Sequence, residues 1–191
     1  MLRGSPAFEK RVGRMTTKAA IVHVAMTMAA VTYAAVTFVL QRQWSQEAAP
    51  ATEPPPAIVF FGVAAAATAI AWWMRSRLPP ADGAGAEAWR NALDQAARQD
   101  KTLAEDLAAM SEQERLLVGF GFYATTRLIV VWAMAESVAI VGMARALLTH
   151  DATVLVPFLA ISLALLMMTS PRLSQRIAEA RRQAAAISSE R

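Results

Sequence analysis

The chain has 191 residues, enough for one domain, with 55% hydrophobic and 18% charged residues and a mean hydropathy of +0.32. Ordinary soluble domains carry about 25% charged residues, so the deficit points to a membrane protein. The absence of cysteine excludes disulfides, thiol nucleophiles and thiolate-bound metals, and two histidines, His23 and His150, leave little for a histidine site; no metal or cofactor is expected.

Residues 1–18 are polar and basic, with Gly4 and Pro6 opposing early helix, and read as a cytosolic tail. The stretch 19–40 is uncharged and long enough to cross a hydrocarbon core of ~30 Å at about 1.5 Å per residue. It exceeds the roughly 7–15 residues of a signal-peptide apolar region, so a retained first span is expected. Residues 41–56 form an outer loop that carries Trp44 and ends in three prolines. The second span, 57–74, ends in Trp72 and Trp73 followed by Arg75, the pattern of indoles and a cation at a headgroup layer.

Residues 75–115 form the longest polar segment and are expected to be a cytosolic helical loop. Trp89, Leu93 and Ala97, then Leu103, Leu107 and Met110, make two short apolar stripes suited to the bilayer surface or the helix bundle. Thr102-x-x-Glu105 and Ser111-x-x-Glu114 both have capping-box spacing. Residues 116–148 exceed what a span needs. The reading is an interfacial approach over 116–126, broken at Gly119 and Gly121, and a third span proper at 128–144. A tight outer turn at 149–152, with Asp151 as N-cap, leads to an antiparallel last span at 153–170 with a mild kink at Pro157. Residues 171–191 make a basic amphipathic cytosolic tail with Leu173, Ile177, Ala184 and Ile187 on one side. The fold class expected is all-α integral membrane, a four-helix transmembrane bundle.

Five Lys or Arg lie in residues 1–18, six in 75–115 and five in 172–191, whereas the two opposite loops hold Arg42, with Arg145 at their border. The positive-inside rule then puts both termini and the middle loop in the cytoplasm of a bacterial inner membrane. The basic charge faces anionic lipid, so the lipid bilayer is the expected partner and nucleic acid is not. Arg75, Arg127, Arg145 and Arg172 with Trp44, Trp72 and Trp73 are the expected interface anchors.

Glu136 stands alone at the centre of the third span, where a charge costs on the order of 2.5–3.5 kcal/mol. Arg127 and Arg145 lie nine residues to either side, about half a turn away in helical phase, and cannot neutralise it within the helix. Its face also carries Ile129, Trp132, Ala133, Ala139, Ile140 and Met143. Midpoints of the other spans offer Thr32 and Tyr33, Thr68 and Ser162, with Ser137 beside the acid. The expectation is a protonated Glu136 donating a hydrogen bond within a thin polar layer. Three roles stay open: a packing contact fixing helix register, a protonatable site for proton or cation movement or for a lipid or quinone headgroup, and a contact with a second copy or a larger membrane complex. An enzyme is not expected, since no Ser-His-Asp set, phosphate loop or metal-ligand spacing occurs.

Two resemblances accompany these residues. Ala133-Met-Ala-Glu136-Ser-Val-Ala-Ile140-Val-Gly142 is similar to the ion-binding helix of rotary ATPase proteolipid (c) subunits, over about ten residues. Those proteins are hairpins with a short polar loop, whereas here a long loop precedes the acidic helix and another span follows, so a rotor subunit is not implied. Over residues 115–177 the order Thr126-Arg127-Leu-Ile, Ala135-Glu136-Ser137, a short turn, a last span and Pro171-Arg172 resembles a group of small uncharacterised bacterial four-span membrane proteins. That resemblance implies four helices and no activity.

Overall fold

A computed structural model describes residues 4–44, 55–76 and 86–189, and among them all regular structure is helical. The elements are α1 (Pro6–Trp44), α2 (Ala57–Ser76), α3 (Ala86–Gln99), α4 (Lys101–Ala108), α5 (Glu112–Thr149), a 3-10 turn (Ala152–Leu155), α6 (Val156–Met168) and α7 (Leu173–Ser189). Four helical stretches are long and apolar enough to cross a membrane: α1, α2, α5 and the stretch Ala152–Arg182 that holds α6. Residues 77–85 of the expected cytosolic loop lie outside the described residues, as does most of the outer loop.

The chain folds as two compact units. The first takes Met1–Ile21, Arg77–Leu128 and Pro171–Arg191, and so contains the start of α1, α3, α4, the start of α5, and α7. Here the sequence reading of residues 1–18 as a tail is corrected: α1 begins at Pro6, and Phe8, Arg11, Met15 and Ala19 are buried along one face. Ser5 is the cap, its Oγ accepting from Phe8 N, and proline at the first helical position loses only an N–H that has no helical partner. The second correction is in α5, which runs unbroken through Gly119 and Gly121. These glycines are places of close approach. A Cβ on Gly119 would come 2.5 Å from the backbone oxygen of Trp89, and one on Gly121 2.8 Å from the Met15 methyl. The Trp89 ring then packs edge-on against Phe120, and Leu93, Leu103, Met110, Leu173 and Ile177 complete the core. Of the tail stripe, the side chains of Ala184 and Ile187 lie outside the description.

Of the two capping-box spacings, only one is used. Ser111 and Glu114 bond reciprocally, and the second oxygen of Glu114 accepts from Ser5 N at 2.7 Å, tying the start of α5 to the start of α1. Thr102-x-x-Glu105 is not a box, because Asp100 caps α4 by accepting from Thr102 N and Leu103 N. Asp100 and Asp106 also hold the buried Arg11, at 3.2 and 2.9 Å.

The second unit takes Val22–Ser76 and Ile129–Ser170. Its core joins Ala64 and Ala67 of α2, Val138 of α5 and Phe158 of α6, with Phe61 stacked on Phe158 at 4.9 Å. Gly142 admits Phe158, whose Cβ would lie 2.5 Å from a Cβ placed there. The last span differs from its expected start: Asp151 caps a 3-10 turn rather than the helix itself, and Pro157 sits in the first turn of α6, where it breaks no hydrogen bond. His150 takes a φ of 52°, a left-handed residue that ends α5 where glycine is the commoner choice.

Two outcomes follow for the first unit. Gly119→Ala should cost about 1–3 kcal/mol through overpacking against backbone, read as a lowered melting temperature in detergent. The Asp100 carboxyl is held well down, to about 2, by the Thr102 hydroxyl first, and then, against its own desolvation, by Leu103 N–H and Arg11. Burial pushes Glu114 up, but the bonds from Ser5 and Ser111 outweigh it and its carboxyl lies below the usual range. A folded-state value below the unfolded one stabilises at neutral pH and is lost as pH falls. Thermal stability should therefore decline between about pH 4 and pH 2, with a shallower slope in Asp100→Asn.

Candidate functional site

Glu136 lies on α5 beside, rather than within, that helix's buried stripe. Val131, Trp132, Ala135, Val138, Ala139, Gly142 and Ala146 are buried at three- and four-residue steps, and Glu136 falls roughly a quarter turn from their centre, half-buried. Its expected face is divided: Trp132 and Ala139 are buried, Ile129 and Met143 partly so, and Ala133 and Ile140 exposed. On the flank of α5 the acid meets α1. The Tyr33 hydroxyl donates to Glu136 Oε1 at 2.7 Å, and this is the acid's only hydrogen bond among the described residues. Phenol and carboxyl can each donate, and a 2.7 Å contact accommodates either arrangement.

The other hydroxyls expected at the same depth do not join them. Thr32 donates to Met28 O, Thr68 to Ala64 O and Ser137 to Met134 O, each within its own helix, and Ser162 is buried with no hydrogen-bond partner among the described residues. A threonine or serine in a helix reaches its own i−4 or i−3 carbonyl at little cost, which is why depth matching overstated the polar layer. Thr37, one turn beyond Tyr33, donates to Tyr33 O and is fully buried. The arginines flanking Glu136 find aromatic faces: Arg127 lies over Tyr123 at 4.8 Å and Arg145 over Phe61 at 5.2 Å. Among the other expected anchors, Trp44 stacks on His150, Arg75 lies over the exposed Trp72, and Trp73 and Arg172 are exposed.

A second polar arrangement was not foreseen. His23 Nε2 lies 2.9 Å from Leu166 O, a contact that places the ring proton on Nε2, and Trp132 Nε1 donates to Thr169 O at 3.0 Å. The two rings meet edge to face at 5.1 Å. Together they bring two further donors to carbonyls at the end of α6, where the helical ladder runs out; Leu166 O also accepts from Thr169. One signal was present: a tryptophan in mid-span rather than at an interface needs a partner for its indole N–H. Gln41 on α1 likewise accepts from Ala152 N at the turn before α6.

Among the described residues no group of three or more His, Asp or Glu is placed to hold a metal. What the Tyr33–Glu136 pair can do chemically is limited to hydrogen bonding and a proton exchange between a phenol and a carboxyl. No protein-family model, curated protein or solved structure matches the chain.

The pair's contribution is measurable. Tyr33→Phe should lower stability in detergent by about 0.6 kcal/mol, and by no more than roughly 1.7, the range for interhelical hydrogen bonds in membrane proteins, read by thermal or steric-trap unfolding.

Proposed function

We propose that the chain is a non-enzymatic multi-pass protein of the bacterial inner membrane, an accessory, assembly or scaffold subunit. Both termini are cytoplasmic, by the distribution of Lys and Arg, and Glu136 locks α1 to α5 through Tyr33. The observation that carries this reading is the isolation of the pair: one 2.7 Å bond, with Thr32, Thr68 and Ser137 all bonded to their own helices. Ion or proton movement needs polar groups in succession across the span, and around Glu136 the succession stops after one step. Four helices of spanning length support the membrane assignment, and the surface of α1 and α2 supports it further, since Ile21, Val24, Val39, Ile58 and Trp73 are more than half exposed.

One observation favours a second reading, in which Glu136 is the titrating carboxylate of a proton- or cation-translocating component or meets a partner subunit. The acid is only half-buried, and its Oε2 has no hydrogen-bond partner among the described residues.

Glu136→Gln separates the two. The amide oxygen still accepts from Tyr33, so the locking role predicts expression and melting temperature close to wild type, while Glu136→Leu, which strands the phenol, should cost about 1–2 kcal/mol. Collapse of the Gln variant would show that the charge itself is required. Reaction of a hydrophobic carbodiimide with Glu136 should be indifferent to Na⁺; protection by Na⁺ would favour translocation.

A further inference from the structure

Lys10, Arg14 and Lys18 are exposed and recur at four-residue steps, which puts them on one face of α1. Beside them lies an open groove of about 610 Å³ that Asp100, at the joint of α3 and α4, also lines. A second pocket of about 180 Å³ shares Arg11, Arg14 and Lys18 with it and adds Gln99. All of these residues belong to the first unit.

The charges here are unequally spent. Glu9 is engaged by Arg181 at 3.5 Å, and Asp100 and Asp106 by the buried Arg11. Lys10 stands 4.0 Å from Asp106. Arg14 and Lys18 have no hydrogen-bond or ion-pair partner among the described residues. Arg11 lines both cavities but is 5% exposed, and its charge is taken up by the two aspartates. The groove therefore offers the uncompensated positive charge of Arg14 and Lys18, whose donors recognise a phosphate. Position adds the rest. Directly after Lys18 the chain carries no formal charge from Ala19 to Leu40, and Ile21, three residues on and on the same side of the helix, is 63% exposed. Cations that give way within one turn to exposed apolar surface suit a ligand that is itself a phosphate joined to hydrocarbon.

We propose that this groove binds the phosphate headgroup of an anionic phospholipid, held by Arg14 and Lys18. The inference rests on α1 entering a bilayer, which alkaline carbonate extraction of native membranes tests separately.

The test uses the full chain in detergent, titrated with phosphatidylglycerol or phosphatidylcholine, with bound lipid counted by native mass spectrometry. Phosphatidylglycerol should be retained in preference to phosphatidylcholine. Arg14→Gln/Lys18→Gln should weaken its binding roughly thirty-fold, at about fivefold per cation, and Lys18→Gln alone about fivefold. Arg90→Gln/Lys101→Gln, which removes the same charge outside the groove, should change binding less than about twofold. Circular dichroism checks that each variant keeps its helix, and Arg14→Lys/Lys18→Arg, which preserves the charge, should keep the preference. Equal retention of the two lipids, or equal loss in the groove and control variants, would overturn the proposal. So would displacement by millimolar inorganic phosphate, which would assign the groove to a soluble anion instead.

Discussion

The close approach of a neighbouring helix to a glycine of α5 is the constraint on which each unit depends. In the first unit the carbonyl of Trp89 occupies the space a Cβ would take at Gly119. In the second, Phe158 does so at Gly142. Each glycine lets one bulky aromatic residue become a core residue, Trp89 at 4% exposure and Phe158 at none. Their value lies in the missing methyl group and not in backbone freedom, since both sit inside an uninterrupted helix. Without water to drive association, contact of this kind is what packs helices in a membrane, and small-residue interfaces follow from it.

The same glycines show where sequence reading was sound and where it failed. The apolar runs 19–40, 57–74 and 128–144 lie within α1, α2 and α5, because length and hydropathy bear directly on helix formation in a chain of this composition. Gly119 and Gly121 were read as a break because glycine disfavours helix in isolation. What overrode propensity was tertiary: Trp89 and Met15 fill the two notches. Pro6 misled for the opposite reason, being judged without the Ser5 before it, which together make a helix start. The Arg11–Asp100–Asp106 cluster was beyond reach, since its members are about ninety residues apart and each looks like an ordinary surface charge.

For the candidate site, the sequence singles out Glu136 and offers it more hydroxyl partners than the structure brings to it. Glu136 is legible because a carboxylate in an apolar run is rare, and helical phase correctly removed Arg127 and Arg145 as partners within the helix. Depth alone could not choose among hydroxyls. Tyr33 differs from Thr32, Thr68 and Ser137 in reach: its hydroxyl stands beyond the ring and cannot fold back to its own helix, so it is the one obliged to look outward. The same logic explains Trp132 and His23, whose ring N–H groups also lie too far out for an intrahelical carbonyl and so close the end of α6.

The uneven burial of the spans has a mechanical consequence. Only 17% of the apolar window of α2 is buried inside the protein, against 39% for α5, and the side chains it does bury are the alanines Ala64, Ala67 and Ala71. Small side chains and little shared surface leave α2 weakly coupled to its neighbours, so in a bilayer its tilt is set by the lipid on its outer face and by Trp72 and Trp73 at its end. With 20 residues it has little length to spare over a core of about 30 Å. Of α2 and α5, it is α2 whose inclination would thus respond to a thicker or thinner membrane, while the α5–α6 contact, seated on Gly142, stayed as it was.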